Sequence, residues 1–222
     1  MPKSKQKKIL KPKETCASGH GIDEFQGFPP SFAYTRILDL MRDESSYIHE
    51  HLMTLYFIAK EFNCKRILEI GTGKGHSTLA LALAAQKNGG HLTTIDIANC
   101  YDAKNLIEKH ELRDNVTFLQ LGKDIVGNVN LFTWDGPLDL VFVDGDHSKD
   151  AVMHDTYHYG LDNIVEGGFM ICHDSCNPAH PGVKEALYTH NLYHKDKWRT
   201  YDWLHNNGLT LWRRTNVNQY SR

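Results

Sequence analysis

The chain has 222 residues, 41% of them apolar and 23% charged, enough for one well-buried domain and too few for a second full one. Its formal charge of −2 gives the molecule as a whole no strong attraction for polyanions. Six lysines crowd residues 2–13 without an acid among them, leaving a remainder of 19 Lys and Arg against 27 Asp and Glu, or −8.

Residues 1–13 read as a solvated, disordered Lys-rich tail, because no aromatic residue is interleaved to stack on a base. No apolar segment of signal-peptide form follows them. The longest apolar run, Leu79 to Ala85, is far too short to span a bilayer, so a cytoplasmic protein without membrane contact is expected. Five scattered cysteines give no disulfide framework. Cys172 and Cys176, flanking His173, are expected as buried thiols rather than metal ligands. Residues 14–44 are rich in turn formers at their start and are assigned to an N-terminal lid or cap; the main domain is assigned to 45–222.

Within Ser45 to Phe62 the apolar positions Ile48, Leu52, Leu55, Ala59 and Phe62 step by 4, 3, 4 and 3, predicting one apolar helical face against a sheet. His49 and His51 point elsewhere and are expected at the surface. From Arg66 onward, β-rich runs (67–70, 92–97, 116–121, 138–144, 168–173) alternate with helical stretches (77–87, 101–111, 148–164, 181–194). Alternation of this kind builds a parallel sheet with helices on both faces. The stretches 198–203 and 209–213 are separated by His205-Asn-Asn-Gly208, too short for a helix, so they pair as an antiparallel hairpin.

The polar groups gather where strands end, which in doubly wound sheets is where ligands bind. After Ile67–Ile70 comes Gly71-Thr-Gly-Lys-Gly75, then a helix. Glycines there let the backbone turn sharply and approach a ligand, with free helical N–H groups aimed at the same space, so a nucleotide-type cofactor is expected. The dinucleotide fingerprint wants a small residue where His76 stands, so the loop is GxGxG rather than GxGxxG. Asp96, 25 residues after Gly71, is suited to accept both hydroxyls of a ribose. Glu69, at the end of the first strand, is costly to bury unless a cationic partner or backbone donors lie near it; a cofactor with an amine or sulfonium would serve.

With the acid-plus-GxGxG loop, Asp96 and the closing hairpin, residues 45–214 resemble the class I S-adenosylmethionine-dependent methyltransferases. The resemblance implies a Rossmann-like, doubly wound α/β fold with a seven-stranded sheet, mostly parallel, and a C-terminal antiparallel strand. It puts Glu69 and the loop Gly71, Thr72, Gly73 and Gly75 against the methionine part of S-adenosyl-L-methionine, Ser77 at its carboxylate, Asp96 and Ile97 at the adenosine, and Gly122, Lys123 and Asp124 around the adenine. Val143-Asp144-Gly-Asp-His147 and Gly167-Gly-Phe-Met-Ile-Cys-His-Asp174 resemble, more narrowly, the metal-dependent small-molecule O-methyltransferases of the catechol and antibiotic-pathway group. By that resemblance Asp144, His173 and Asp174 hold a divalent cation, magnesium or manganese, and His147 replaces a lysine base. A bound cation lowers the pKa of an acceptor hydroxyl, and an imidazole with an unperturbed pKa near ~6.5 then takes the proton.

Asp146 is assigned to the loop or helix cap, His154 and His158 to structural or solvent-facing positions, and His180 to either the substrate or a plain loop. Trp134, Trp198, Trp203 and Trp212 are assigned to packing. The expected function is methylation of a hydroxyl on a small molecule, with a homodimer left open and nucleic acid not expected as a partner. The alternatives are a nucleic-acid or protein methyltransferase, an NAD-dependent reductase, and a catalytically silent methyltransferase-like binding module.

Overall fold

The computed structural model describes residues 32–43, 46–121, 136–161, 163–194 and 196–215. The expected tail 1–13, most of the 14–44 cap, Cys16, Gly122, Lys123, Asp124 and Trp134 lie outside them. Among the described residues no helix is long and apolar enough to cross a membrane.

Seven strands form one sheet: β1 (Arg66–Ile70), β2 (His91–Asp96), β3 (Val116–Gln120), β4 (Leu138–Val143), β5 (Ile164–His173), β6 (Trp198–Trp203) and β7 (Leu209–Arg214). Their order is β3-β2-β1-β4-β5-β7-β6. β1 to β5 run parallel to one another, and β7 is antiparallel to both β5 and β6. The expected sheet, its mostly parallel sense and its closing hairpin are therefore all present.

Side chains alternate across the strands with period 2, and the two faces carry two cores. Ile67, Leu140, Phe142 and Ile171 pack on one side with α2 (Leu52–Glu61) and α3 (His76–Lys87). Leu68, Val141, Val143 and Met170 pack on the other with α5 (Lys149–Asp155) and α6 (Pro181–His194). Helix α1 (Phe32–Met41) joins the first layer through Ile37, and α4 (Tyr101–Lys109) through Ile107. In α3 every residue from Ser77 to Ala85 is buried. Its alanines let that helix sit close to the sheet and α2, while Leu79, Leu81 and Leu83 each remove a side chain from water, worth about 2 kcal/mol apiece.

Several boundaries differ from the sequence reading. The 45–62 helix is a single 3₁₀ turn, His49–His51, leading into α2. Ile48, Leu52, Leu55 and Ala59 are buried as expected, but Phe62 is 51% exposed, because it follows the end of α2 and lies against Phe169 and Arg213 instead. His51 is fully buried, which corrects its surface assignment: its Nε2–H donates to the carbonyls of His205 and Asn206 in the β6–β7 turn. The 148–164 helix ends at Asp155 and widens into a π-turn over Thr156–Leu161, where the Thr156 hydroxyl donates to the Val152 carbonyl. Strand β5 starts at Ile164, because Gly167-Gly168 is a strand irregularity rather than a turn. Gly167 sits at φ +82, and a Cβ on Gly168 would lie 2.7 Å from the Asp139 carbonyl oxygen. Cys172 is buried but Cys176 is exposed, so only one of the two thiols behaves as expected.

Candidate active site

The strand order reverses direction between β1 and β4, and the carboxyl ends of those strands open a crevice there. It is a cleft of about 910 Å³. Its floor is the glycine loop. The β1–β2 and β1–β4 ladders run one bond past the strand, with Gly71 N–H donating to Ile95 O and Asp144 N–H to Ile70 O. Gly71 consequently lies so close to the next strand end that a Cβ would sit 2.0 Å from the Asp144 carbonyl oxygen, and its φ is +96. Gly75, at φ +87, is the N-terminal cap of α3 and touches Ala103. No side chain caps that helix end, so its first N–H groups lack intrahelical partners and face the cleft mouth.

Thr72, Gly73, Gly75, Ser77, Asp96 and Ile97 all line this cleft, as the sequence placed them. Asp96 holds the loop shut from the side: Gly73 N–H donates to its Oδ2 at 3.0 Å and Ala98 N–H to its Oδ1 at 2.7 Å. The Cys100 thiol also bonds to this carboxylate, and burial together with that bond raises the thiol's pKa. Glu69 does not reach the cleft. It is fully buried behind the loop, where Thr78 and Thr94 hydroxyls donate to Oε2 at 2.6 and 2.7 Å and Oε1 has no partner. Thr72 donates in turn to Thr94 at 2.6 Å, so the loop and this acid are tied by a chain of hydroxyls. Burial pushes Glu69 up to about 7, against the pull of the Ser77, Thr78 and Thr94 hydroxyls. The expected need for partners is met by side-chain alcohols, in place of the cation or backbone donors read from sequence.

At the far rim Asp144, His147, His173 and Asp174 converge. The Asp144 Oδ1 to His173 Nδ1 distance is 3.3 Å, Asp174 Oδ2 to His173 Nδ1 is 3.4 Å, and Asp174 Oδ2 to His147 Nε2 is 2.8 Å. Asp174 follows β5 at φ +57, a costly backbone for a non-glycine, and Asn177 Nδ2 donates to its Oδ1 at 2.7 Å. His173 is fixed from behind by donating Nε2–H to the Asn206 carbonyl at 3.3 Å. The carboxylates Asp144 and Asp174 push His147 up to about 10. Burial opposes the same rise in His173, yet the two carboxylates still carry it to about 9. Burial likewise opposes ionisation of Asp174, but His147, His173 and Asn177 hold it well below the usual carboxylate range. His147 is thus not a free imidazole: two acids face it, and with no ion between them they favour its protonated form.

Asp144, His173 and Asp174 offer donor atoms all within 4.8 Å of one another, as do His147, Asp174 and His180. Two acids and neutral imidazoles are a donor set that suits a divalent ion, and removing the imidazole protons would exchange their charge for the metal's. The residues fit such an ion. Asp146 Oδ1 accepts from Ser148 N–H at 2.7 Å, the loop role assigned to it. His180 stacks on His147 with ring centroids 4.1 Å apart.

Sequence reading missed one wall. His154, Asp155 and Tyr159 line the cleft from α5 and the π-turn. His154 Nδ1 is 3.1 Å from Asp155 Oδ1, its Nε2 is buried without a partner, and burial raises Asp155. The one signal for this wall was the His154 and His158 pair, which the sequence assigned to structural or solvent-facing positions.

Residues 68–175 match the family described as a methyltransferase domain. A caffeoyl-CoA O-methyltransferase of Populus kitakamiensis is 33% identical over 124 residues, which are 54% of this chain and 51% of that enzyme. The chain thus spans about half the length of this curated relative. Among solved structures, the O-methyltransferase TomG of Streptomyces achromogenes, involved in tomaymycin synthesis and solved with SAM, superposes with a TM-score of 0.62 at 20% identity, covering 86% of this chain and 93% of TomG. An O-methyltransferase of Bacillus cereus solved with SAH gives 0.63 at 17% identity, covering 86% and 94%. At such identities the likeness is one of fold.

Proposed function

We propose, from the match of residues 68–175 to the methyltransferase domain family, that this chain is an S-adenosylmethionine-dependent O-methyltransferase acting on a small hydroxylated molecule with a divalent ion. One observation carries the reading: Asp144 belongs both to the glycine-loop cleft and to the acid and imidazole cluster, so donor and acceptor would meet at that residue. The loop Gly71 to Gly75 and the first N–H groups of α3 would take the methionine end of the cofactor, with Ser77 beside its carboxylate. Asp96 would hold the ribose hydroxyls, and Ile97 would cover the adenosine.

Methyl transfer is an in-line displacement, so the protein's task is to align an acceptor oxygen with the sulfonium methyl and to dispose of its proton. Asp144, His173 and Asp174 would hold the ion. A bound divalent cation supplies Lewis acidity that lowers the hydroxyl pKa and fixes the oxygen.

The test is transfer of a labelled methyl group to a panel of hydroxylated acceptors, with Asp144→Ala and Asp174→Ala assayed with and without chelator. A loss of about 100-fold or more in both variants, matched by chelator on the unaltered protein, is expected. Unchanged transfer to a proven acceptor would remove the ion from the reaction. Micromolar binding of NAD with none of S-adenosylmethionine would remove the whole reading.

A further inference from the structure

Resting on the S-adenosylmethionine reading above, we infer that Asp155 reads the amino edge of the cofactor's base and so sets the choice of adenine, with His154 as the residue that positions it. The cleft changes chemistry along its lining. The glycine loop and the start of α3 offer N–H groups, and Asp96 offers carboxylate oxygens. Next to them the lining turns apolar, with Ile70, Ile95, Ile97 and Leu121. These belong together: Ile70 pairs with Ile95 in the sheet register, and Leu121 N–H donates to the Asp96 carbonyl. An apolar slot accepts the flat face of any base, so telling one base from another needs a polar group at its edge.

Asp155 meets that need. It lines the same cleft, and its side chain is only 15% exposed. Gly145 lets it approach: a Cβ there would stand 3.4 Å from the Ile70 side chain and 3.7 Å from Asp155 Oδ2, so carboxylate and apolar slot meet across a residue that has no side chain. The two oxygens have different surroundings. Oδ1 is 3.1 Å from His154 Nδ1, whereas Oδ2 has no hydrogen-bond partner among the described residues. Consecutive side chains on a regular α-helix do not face each other. His154 and Asp155 meet where α5 ends and the chain widens into the π-turn Thr156–Leu161. Other acids of the cleft are placed differently: Asp146 accepts from Ser148 N–H, and Asp150 is exposed in the first turn of α5. A carboxylate oxygen accepts and cannot donate, so it favours the 6-amino group of adenine and repels the 6-carbonyl of hypoxanthine or guanine.

The experiment is calorimetry of the full chain with two probes, S-adenosylhomocysteine and S-inosylhomocysteine, which carry an amine and a carbonyl at position 6. The unaltered protein is expected to bind the adenosine form about 100-fold more tightly. Asp155→Asn keeps the shape and can turn an amide N–H toward a carbonyl, so the two affinities are expected to come within about 10-fold, with the inosine form gaining. His154→Ala releases Oδ1 and is expected to cut the preference to about 10-fold. A merely structural role would weaken both probes alike and leave their ratio unchanged. Equal binding of the two probes by the unaltered protein, which needs no variant, or an unchanged ratio in folded Asp155→Asn would overturn the assignment while leaving the S-adenosylmethionine reading in place. An unchanged ratio in His154→Ala would overturn the positioning role. Failure of the unaltered protein to bind either probe would remove the S-adenosylmethionine reading and this one with it.

Discussion

Glu69 gives the sharpest energetic test of the loop. Its carboxyl is fully buried, has two hydroxyl donors on Oε2 and none on Oε1, and is carried from an ordinary value of 4.5 to about 7. Because the fold favours the neutral form, the native chain keeps this proton to higher pH than the unfolded chain does. Stability therefore falls as pH rises from 4.5 to about 7 and stays lowered above that. The difference in pKa corresponds to about 3 kcal/mol, a sizeable part of a domain's net stability. Glu69→Gln keeps the oxygen that accepts from Thr78 and Thr94 and removes the charge. Urea midpoints of chelator-treated, cofactor-free protein, measured from pH 5 to 8.5, should show the two proteins diverging as pH rises, with the Gln variant the more stable by about 3 kcal/mol at the top of the range. Two parallel curves would refute the argument, because they would mean Glu69 ionises in the native state as it does in the unfolded chain.

Gly71→Ala places a methyl group on the Asp144 carbonyl at a backbone angle alanine avoids; we expect a cost of about 3 kcal/mol and loss of S-adenosylhomocysteine binding, read by thermal unfolding and calorimetry. Asp96→Ala removes the acceptor for Gly73 N–H, for Ala98 N–H and for the ribose, so cofactor affinity should fall about 10- to 100-fold and the cofactor-free Tm by a few degrees; equal affinity would take the ribose contact away. His51→Phe removes the donor to the His205 and Asn206 carbonyls and should cost about 1–3 kcal/mol in a urea titration.

The sheet was legible because its strands are short apolar runs punctuated by glycine and acid, and because His205-Asn-Asn-Gly208 leaves room only for a tight turn. The loop residues and Asp96 were legible for a related reason: a strand that ends in glycines must open somewhere, and parallel strands open together. What escaped depended on contacts distant in sequence. His51 is adjacent to charged neighbours in the chain, yet the carbonyls that bury it lie 154 and 155 residues away. Glu69 was correctly read as needing partners, but the hydroxyls of Thr78 and Thr94 are weak signals beside the cation that electrostatics suggests. The last parallel strand was expected only from residue 168, whereas it starts at Ile164, since a strand irregularity and a turn favour the same residue, glycine. His147 was judged by its intrinsic pKa, which two approaching carboxylates override. The cleft wall on α5 was hidden because its shape comes from a π-turn that regular helical spacing does not encode.

The turn between β6 and β7 also gives the molecule an order of assembly. The Asn206 carbonyl that sets His173 lies 33 residues beyond it, later in the chain than both cleft-forming strands and than Asp144, His147 and Asp174. During synthesis the glycine loop, Asp96 and the ends of β1, β2 and β4 can come together while the hairpin is still being made. His173 lacks that partner until β7 pairs in reverse with β5 and brings the carbonyl up behind the imidazole. The orientation of this ring is thus a property of the completed sheet, reporting that the last strand has found its place.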